Sequence, residues 1–403
     1  MKWASSIEST EGTPSGPSME LNWAQCVEKL IQSLKDELEG NPDLLILFVS
    51  PDHKNNFEKI VEQIRAALNP KAFIGCTAGG LIGGGREVEQ QSAIALTGAV
   101  LPGVRVNAFH VAGNHIPDLD DPPQSWEKLV QVENKEEPSF ILLTDPFGFK
   151  LDSFVQGLDY AFARSVKLGG LASGGHKAGE NRLLCQDQVY RSGVVGVSLC
   201  GNIQVDPVVA QGCRAIGKTS RVTKCDKNLL YELDGKPAVL VLKEAIERLP
   251  ERDQKLAKEA IFLGVAMDEF QEKFVSGDFL VRNIYGIEPM SGALLVGEAL
   301  RPERTVQFHL RDAESSADDL RSMLRRYIEN GDGRPSSGAL LFSCMGRGFS
   351  LYGRTNHDSD CLREYLGEVP IGGFFCNGEI GPVGDSTFLH GYTSSFGIFK
   401  EKY

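Results

Sequence analysis

The chain lacks the features by which membrane, secreted and nucleic-acid-binding proteins are usually recognised. Its longest apolar runs, such as Leu44–Val49, are far shorter than the roughly 20 residues that cross a bilayer, and no signal-peptide core precedes them. Positive charge is scarce, because 42 lysine and arginine residues stand against 54 aspartate and glutamate residues, a formal net charge of −12. Such a surface repels a phosphate backbone or an anionic leaflet. We therefore expect a cytoplasmic protein with no nucleic-acid partner and no membrane insertion.

Cysteine and histidine are present, but not in metal-binding or redox patterns. The nine cysteines include no Cys-x-x-Cys pair, which argues against a zinc ribbon or a thioredoxin-like site. Their odd number favours reduced thiols that pack as small apolar residues. None of the seven histidines stands in a setting that marks an axial haem ligand. We expect no metal and no obligate cofactor.

What the chain does contain is a unit that recurs three times, a strand followed by a helical segment and a second strand. The units run from Leu44–Ser50 to Ala72–Cys76, from Phe140–Asp145 to Lys167–Gly175, and from Ala339–Cys344 to Pro370–Gly378. Equivalent apolar positions are 27, 26 and 30 residues apart, counted from Leu47 to Ile74, Leu142 to Leu168 and Leu341 to Ile371. Repetition at matched spacing predicts three parallel strand pairs with crossover helices, in equivalent central positions.

Further strand-like runs follow the first two units. Short turns join Ser92–Val100 to Val104–Val111 and Gly193–Cys200 to Ile203–Val209, which predicts two hairpins and a mixed sheet. The glycine-rich stretch Thr77–Gly85 lacks the Lys-Ser/Thr ending of a phosphate loop, so we expect a flexible turn there.

The second half has a different pattern. Helical spacing predicts helices at Pro237–Leu249 and Asp318–Ile328, and four short strands lie between them at Ile261–Met267, Phe279–Ile284, Ala293–Val296 and Thr305–Arg311. The polar stretch Gly217–Leu233 is the expected boundary. The fold class is thus α/β, with mixed sheets built from repeated strand–helix–strand and hairpin units. We expect a flexible leader at 1–20 and two domains at 21–230 and 231–403.

Several phrases in one order resemble the FIST family of sensory domains. The second half contains YELDGKPAV at 231–239, DFLVRNIYGIEP at 278–289, VQFHLRDA at 306–313, GALLFSCMGRG at 338–348, PIGGFFCNGEIGPVG at 370–384 and FLHGYTSSF at 388–396. The first half contributes FIGCTAGGLIGGG and KLGGLASGG, which resemble the family's N-terminal part. The resemblance covers roughly residues 20–403 and implies two FIST-like halves.

The resemblance also implies a function. FIST domains are expected to bind small ligands, including amino acids, and to pass a signal to kinase, cyclase or chemotaxis modules, or to follow an F-box. Some members are linked to haem. This sequence has no room for a kinase core or an F-box, so the resemblance implies a signalling protein partner in trans.

Two glycine-containing loops follow the strands of the third unit and carry candidate ligand-binding residues. In the first loop, Gly346 and Gly348 flank Arg347, whose planar donor fork suits a carboxylate, and Cys344 stands beside them. The second loop holds Cys376, Asn377, Gly378 and Glu379. Ligands gather at the carboxyl ends of parallel strands. We therefore expect the two loops to form one pocket for a small anionic or zwitterionic molecule.

Other interpretations of these residues remain open. Cys344 can be a buried structural thiol, or the nucleophile of a thiol-dependent enzyme acting on a small polar substrate. Glu379 can be a solvated carboxylate beside an Asn-Gly turn. Arg282 and His309, on two strands of the second half, are further candidate ligand-binding residues. A protein-interaction adaptor would expose an apolar patch instead of a polar pocket.

Overall fold

The computed structural model describes residues 1–9, 19–269, 271, 273–274 and 277–403. The chain divides into two compact units. The first comprises Met1–Val209, Met323–Leu389 and Thr393–Tyr403, and we call it the repeat domain. The second comprises Ala210–Ser322 and His390–Tyr392, and we call it the barrel domain.

The N-terminal part of the repeat domain contains thirteen strands and four α-helices among the described residues. The strands are β1 (Lys2–Ser9), β2 (Leu44–Val49), β3 (Ala72–Thr77), β4 (Gly80–Gly83), β5 (Arg86–Glu89), β6 (Ala93–Val100), β7 (Val104–Val111), β8 (Ser139–Thr144), β9 (Lys167–Leu171), β10 (Leu183–Cys185), β11 (Gln188–Tyr190), β12 (Val194–Gly201) and β13 (Gln204–Ala210). The helices are α1 (Met19–Glu37), α2 (Phe57–Leu68), α3 (Pro123–Val130) and α4 (Leu151–Ala161).

The barrel domain follows in the chain. Its strands are β14 (Arg214–Asp226), β15 (Leu229–Leu233), β16 (Lys236–Pro237), β17 (Ile261–Ala266), β18 (Phe279–Ile287), β19 (Leu294–Val296) and β20 (Thr305–Leu310). Its helices are α5 (Ala238–Glu247), α6 (Glu251–Leu256) and the first part of α7 (Ala313–Glu329). Because β14 pairs with both β20 and β15, the sheet closes on itself. The apolar face of α5 packs into the core of this barrel.

The third repeat completes the repeat domain. It consists of β21 (Gly338–Cys344), α8 (Phe349–Tyr352), α9 (His357–Leu366), β22 (Ile371–Cys376), β23 (Glu379–Val383), β24 (Ser386–His390) and β25 (Ser394–Lys400).

Each repeat forms a parallel strand pair, which confirms the prediction from the spacing. The pairs are β2–β3, β8–β9 and β21–β22, and each lies inside a six-stranded sheet. Antiparallel β6, β12 and β25 flank the first strand of each pair. A hairpin from another repeat flanks the second strand: β10–β11 on β3, β23–β24 on β9, and β4–β5 on β22. The repeats thus exchange hairpins cyclically, and residues of all three sheets share one core.

The glycines of the repeated phrases are required where the two parallel strands approach each other. A Cβ added to Gly75, Gly169 or Gly373 would lie 2.3, 1.8 and 1.9 Å from the carbonyl oxygens of Leu47, Leu142 and Leu341, respectively. The φ angles of Gly169 and Gly373 are +155° and +148°, values that other residues rarely adopt. These glycines therefore serve backbone geometry.

Several details of the sequence prediction are wrong. The runs β6 and β7 do not form a hairpin, because β6 pairs with β2 and β7 pairs with β12 in a different sheet. Likewise β12 and β13 belong to different sheets. The Leu-Pro-Gly and Gly-Asn turns are correctly located, but they lead the chain from one sheet to the next.

Three segments predicted as irregular contain regular structure. Lys2–Ser9 of the expected leader is an edge strand on β6, while residues 10–18 lie outside the described residues. The polar stretch Gly217–Leu233 contains most of β14 and all of β15. The stretch Thr77–Gly85 contains β4, whose backbone pairs with β22. Among the described helices, none has both the length and the apolar character required to cross a bilayer.

Candidate functional site

The carboxyl ends of the three parallel pairs meet at one place in the repeat domain. The Ser173 hydroxyl, just after β9, accepts a hydrogen bond from the Gly79 backbone N–H at 2.8 Å and donates one to the Phe375 carbonyl. Gly79 follows β3, and Phe375 lies at the end of β22. One buried hydroxyl therefore joins the strand ends of all three repeats.

Two loops of the third repeat complete this meeting point. The Asn377 side chain donates to the Ala172 carbonyl at 3.2 Å, and the Met345 N–H donates to the Cys376 carbonyl at 3.0 Å. Met345 also covers Gly79, since a Cβ added there would lie 2.9 Å from the Met345 methyl carbon. We call Gly79, Ser173, Cys344, Met345 and Asn377 the strand-end junction.

Cys344 is the residue of β21 that reaches the junction. Its side chain is half-buried, and its Sγ accepts a hydrogen bond from the Gly346 N–H at 3.5 Å. It lies opposite Cys376 in the strand register, so the exposed Asn377 follows directly beside it. The structure thus brings together the accessible predicted residues Cys344, Gly346 and Asn377.

The side chain of Arg347 points inward and is fully buried. Its Nε donates to Asp358 Oδ2 at 2.8 Å and its Nη2 to Asp358 Oδ1 at 3.0 Å, while Nη2 also donates to the Tyr352 hydroxyl at 2.6 Å. Burial alone would lower the pKa of Arg347, but the Asp358 carboxylate raises it above its usual value. The guanidinium group that was expected to bind a ligand carboxylate is therefore occupied by a carboxylate of the protein. Arg347 instead fixes the loop that follows Cys344.

Asp358 is the centre of a buried polar network. It accepts further hydrogen bonds from the Ser343 hydroxyl at 3.1 Å and from the Ser394 hydroxyl, and His357 Nδ1 lies 2.9 Å from Oδ1. Burial would raise the pKa of this carboxyl group, but the Arg347 guanidinium holds it well below its usual range. The network ties β21, α9 and β25 together beneath the junction.

Two carboxylates of β5, from the first repeat, hold the same region. Glu89 accepts a hydrogen bond from the Phe349 N–H at 2.8 Å, and Glu87 accepts one from the Ser359 N–H at 2.8 Å. Glu87 is only 4% exposed, and its Oε2 makes no hydrogen bond among the described residues. Burial, reinforced by the nearby Asp358 carboxylate, raises the pKa of Glu87 to about 7.

The other predicted residues of these loops pack against the protein or form hydrogen bonds within it. Gly348 has a φ of +61°, and a Cβ there would lie 2.2 Å from a carboxylate oxygen of Glu89. Cys376 is buried and packs on Gly170, and burial raises the pKa of its thiol. Gly378 accepts a backbone hydrogen bond from Leu171. Glu379 is fully buried and accepts the Thr393 N–H at 3.2 Å. Glu379 is thus not a solvated carboxylate.

Arg282 and His309 belong to the barrel domain and have partners there. Arg282 Nε donates to Glu298 at 2.6 Å. His309 is 4% exposed and its Nδ1 lies 3.0 Å from the Gln307 carbonyl, and burial lowers its pKa to about 4. Their strands β18 and β20 flank β17. The hydrogen-bond partners of both residues thus lie within the barrel domain.

Sequence reasoning did not select Ser173, Met345 or Asp145. Asp145 is the second repeat's equivalent of Cys344, because the backbone N–H of each donates to the residue just before the antiparallel neighbour strand, Gly193 before β12 and Thr393 before β25. Its carboxylate is buried, accepts a hydrogen bond from the Asn181 side chain at 3.1 Å, and has its pKa raised by burial. Superposing the three repeated phrases would have selected these positions. Among the described residues, no group of His, Cys, Asp and Glu is placed to hold a metal ion.

Comparisons with known proteins agree with the family resemblance that the sequence phrases indicate. The model of the FIST N domain matches residues 43–236, and that of the FIST C domain matches residues 238–382. An uncharacterized protein of Mycobacterium tuberculosis is 34% identical over 371 residues, which cover 91% of this chain and 94% of that protein. An uncharacterized protein of Mycobacterium bovis is 33% identical over 371 residues, covering 91% and 93%.

More distant similarities are partial or weak. Human F-box only protein 22 is 36% identical over 70 residues, 13% of this chain and 17% of that protein. A match to the crystal structure of a cyanuric acid hydrolase from A. caulinodans covers 99% of both chains at 9% identity. Its TM-score of 0.29 is too low to support any conclusion.

We predict that Arg347→Ala lowers the free energy of unfolding by about 3–5 kcal/mol, because it leaves Asp358 as an uncompensated buried charge. Arg347→Lys should recover only part of this loss, since a lysine cannot form the paired contact. Arg354→Ala is the matched control: its ion pair with Asp360 lies at the surface and contributes about 1 kcal/mol or less. Urea unfolding of the three variants tests the prediction, which fails if Arg347→Ala and Arg354→Ala are equally stable.

A second prediction concerns pH. The folded-state pKa of Glu87 lies above its unfolded value of 4.5, so the folded protein binds more protons between pH 4.5 and about 7, and stability falls as pH rises through this window. Glu87→Gln should remove up to about 3 kcal/mol of this fall. Unfolding measured at pH 5 and pH 8 gives the difference, with exposed Glu62→Gln as control. Identical pH dependence in the wild type and Glu87→Gln would contradict the assignment.

Proposed function

Because the chain belongs to the FIST family, we propose that it is a small-ligand-binding sensory protein whose ligand occupies the strand-end junction. The single observation that carries this proposal concerns the Ser173 hydroxyl, which forms hydrogen bonds with Gly79 of the first repeat and Phe375 of the third. A ligand that contacts one loop therefore acts on the strand ends of all three repeats. Ligand sites at the carboxyl ends of parallel strands are the general pattern in α/β sheets.

The ligand that fits this proposal is a small anionic or zwitterionic molecule such as an amino acid. Asn377 is exposed at the junction, and its amide can donate to a carboxylate and accept from an ammonium group. The half-buried Cys344 ends the neighbouring strand β21, and Gly346, likewise half-buried, lies on the loop that follows it. Arg347 contributes as a positioning residue, since its pair with Asp358 holds that loop.

An enzymatic function is the second candidate, and one contact favours it. The Gly346 N–H donates to Cys344 Sγ, and hydrogen bonds to the charged form of a thiol favour the thiolate. In that case Cys344 would attack a small polar substrate. Cys344→Ser separates the two functions, because a sensor keeps its affinity while a thiol-dependent enzyme loses its activity.

We further propose that the signal passes to a separate protein. The mycobacterial relatives match over 93–94% of their own length, which leaves little sequence in them for an output module. An adaptor function would use an apolar surface instead. Tyr285, Ile287 and Met290 of the barrel domain are exposed and mark where such a surface would lie.

We predict that an amino acid found by thermal-shift screening binds Asn377→Ala at least about tenfold more weakly than the wild type, since lost hydrogen bonds to a charged ligand cost about 1.5–3 kcal/mol. Calorimetry measures the affinity. Asn134→Ala, which removes an exposed amide far along the chain from both loops, serves as control. If Asn377→Ala binds as tightly as Asn134→Ala, the ligand does not occupy the junction.

A further inference from the structure

The repeat domain contains a cavity of about 440 Å³ that has no residue in common with the strand-end junction. Its lining includes Asp206, Val209, Met323, Arg326, Tyr327 and Lys400. The volume lies within the roughly 300–1,000 Å³ typical of small-molecule sites. Lys400 ends β25, whereas Ser394 at the start of that strand pairs with Ser343 beside the junction. Six residues of strand place the cavity roughly 20 Å from the junction.

A buried ammonium group forms part of the cavity wall. The Lys400 side chain is 4% exposed, and its Nζ lies 3.1 Å from Asp206 Oδ2 and 3.4 Å from Asp332 Oδ1. It also lies 4.9 Å from the centre of the Tyr327 ring. The Tyr327 hydroxyl donates to Asp206 at 3.1 Å, and Arg334 Nε donates to Asp332 at 2.9 Å. These groups neutralise one another, so the wall is rigid and its charges are already matched.

Arg326 is a cation of the cavity lining that forms no ion pair with any carboxylate among the described residues. On the same helix Arg321 pairs with Asp318, but within the described parts of the chain no carboxylate lies within 4.0 Å of the Arg326 guanidinium. The lining also includes the apolar side chains of Val208, Val209 and Met323, and Met323 lies one helical turn before Arg326 on α7. An arginine guanidinium group beside apolar side chains can bind a ligand that has an anionic group attached to a compact apolar part.

We propose that this cavity is a second binding site, for a small organic carboxylate whose anionic group is held by Arg326 and whose apolar body packs against Met323 and Val209. The Asn330 amide lies on the lining and can donate a further hydrogen bond. This site is independent of the proposed function, because its residues and those of the junction are different.

Benzoate is a suitable probe, and the six methionines of the chain provide separate readouts. Met323 lines the cavity, Met345 belongs to the junction, and Met290 is 94% exposed in the barrel domain. In methyl NMR of ¹³C-methionine protein, with signals assigned by Met→Leu variants, benzoate should shift the Met323 signal and leave Met345 and Met290 unchanged. Neutral benzamide and inorganic phosphate, which lack the charge and the apolar body respectively, should bind at least about tenfold more weakly.

Arg326→Ala should weaken benzoate binding at least about tenfold, because it removes the donor fork. Arg325→Ala is the matched control, since Arg325 is the neighbouring exposed residue of α7 and does not line the cavity. Alanine favours helix, so neither variant should unfold the protein. The proposal is overturned if millimolar benzoate leaves Met323 unchanged, if Arg326→Ala binds like Arg325→Ala, or if benzamide or phosphate binds as tightly as benzoate. A shift of Met345 alone would assign benzoate to the junction and would equally overturn it.

Discussion

The architecture of the repeat domain depends on how the second strand of each parallel pair finds a neighbour. An open strand edge presents unpaired backbone groups, and in every repeat this edge is covered by a hairpin that belongs to another repeat. The exchange is cyclic, so no repeat completes its sheet alone. Because the hairpins begin where the parallel strands end, the same exchange brings the carboxyl ends of all three pairs to one place. The Ser173 hydroxyl then links them. A junction shared by three repeats is thus a consequence of closing the strand edges.

The buried charges around Asp358 have a second role in this arrangement. The loop after β21 contains two glycines and could adopt many conformations, yet Arg347 and Glu89 attach it to elements of two repeats. Glu87 holds the start of the neighbouring helix α9 through the Ser359 N–H. Burying these groups is costly, and their paired contacts offset much of that cost. What the arrangement provides is a defined position for Cys344 and Met345 at the junction. The polar network therefore supports the strand-end junction.

Much of this structure was predictable from local patterns, and the exceptions have a common cause. Helical spacing and apolar runs located α2, the three parallel pairs and the strands of the barrel domain, because burial periodicity is encoded in neighbouring residues. Pairing across the repeats is not encoded locally, so the turn after β6 predicted a hairpin although β7 belongs to another sheet. Arg347 and Asp358 are eleven positions apart, and nothing in the phrase around Arg347 reveals that its carboxylate partner is internal. Which side chains face the junction depends on the same long-range contacts.

We propose that the strand ends of the three repeats form a single ligand-binding junction. Hydrogen–deuterium exchange with the amino acid that raises the melting temperature most tests this claim directly. The peptides around Gly79, Ser173, Met345 and Asn377 come from all three repeats, and the account predicts that their amide hydrogens become protected together at saturating ligand, with the barrel strands β17 and β18 unaffected. Protection confined to the peptides of one repeat, or seen only in the barrel domain, would contradict it.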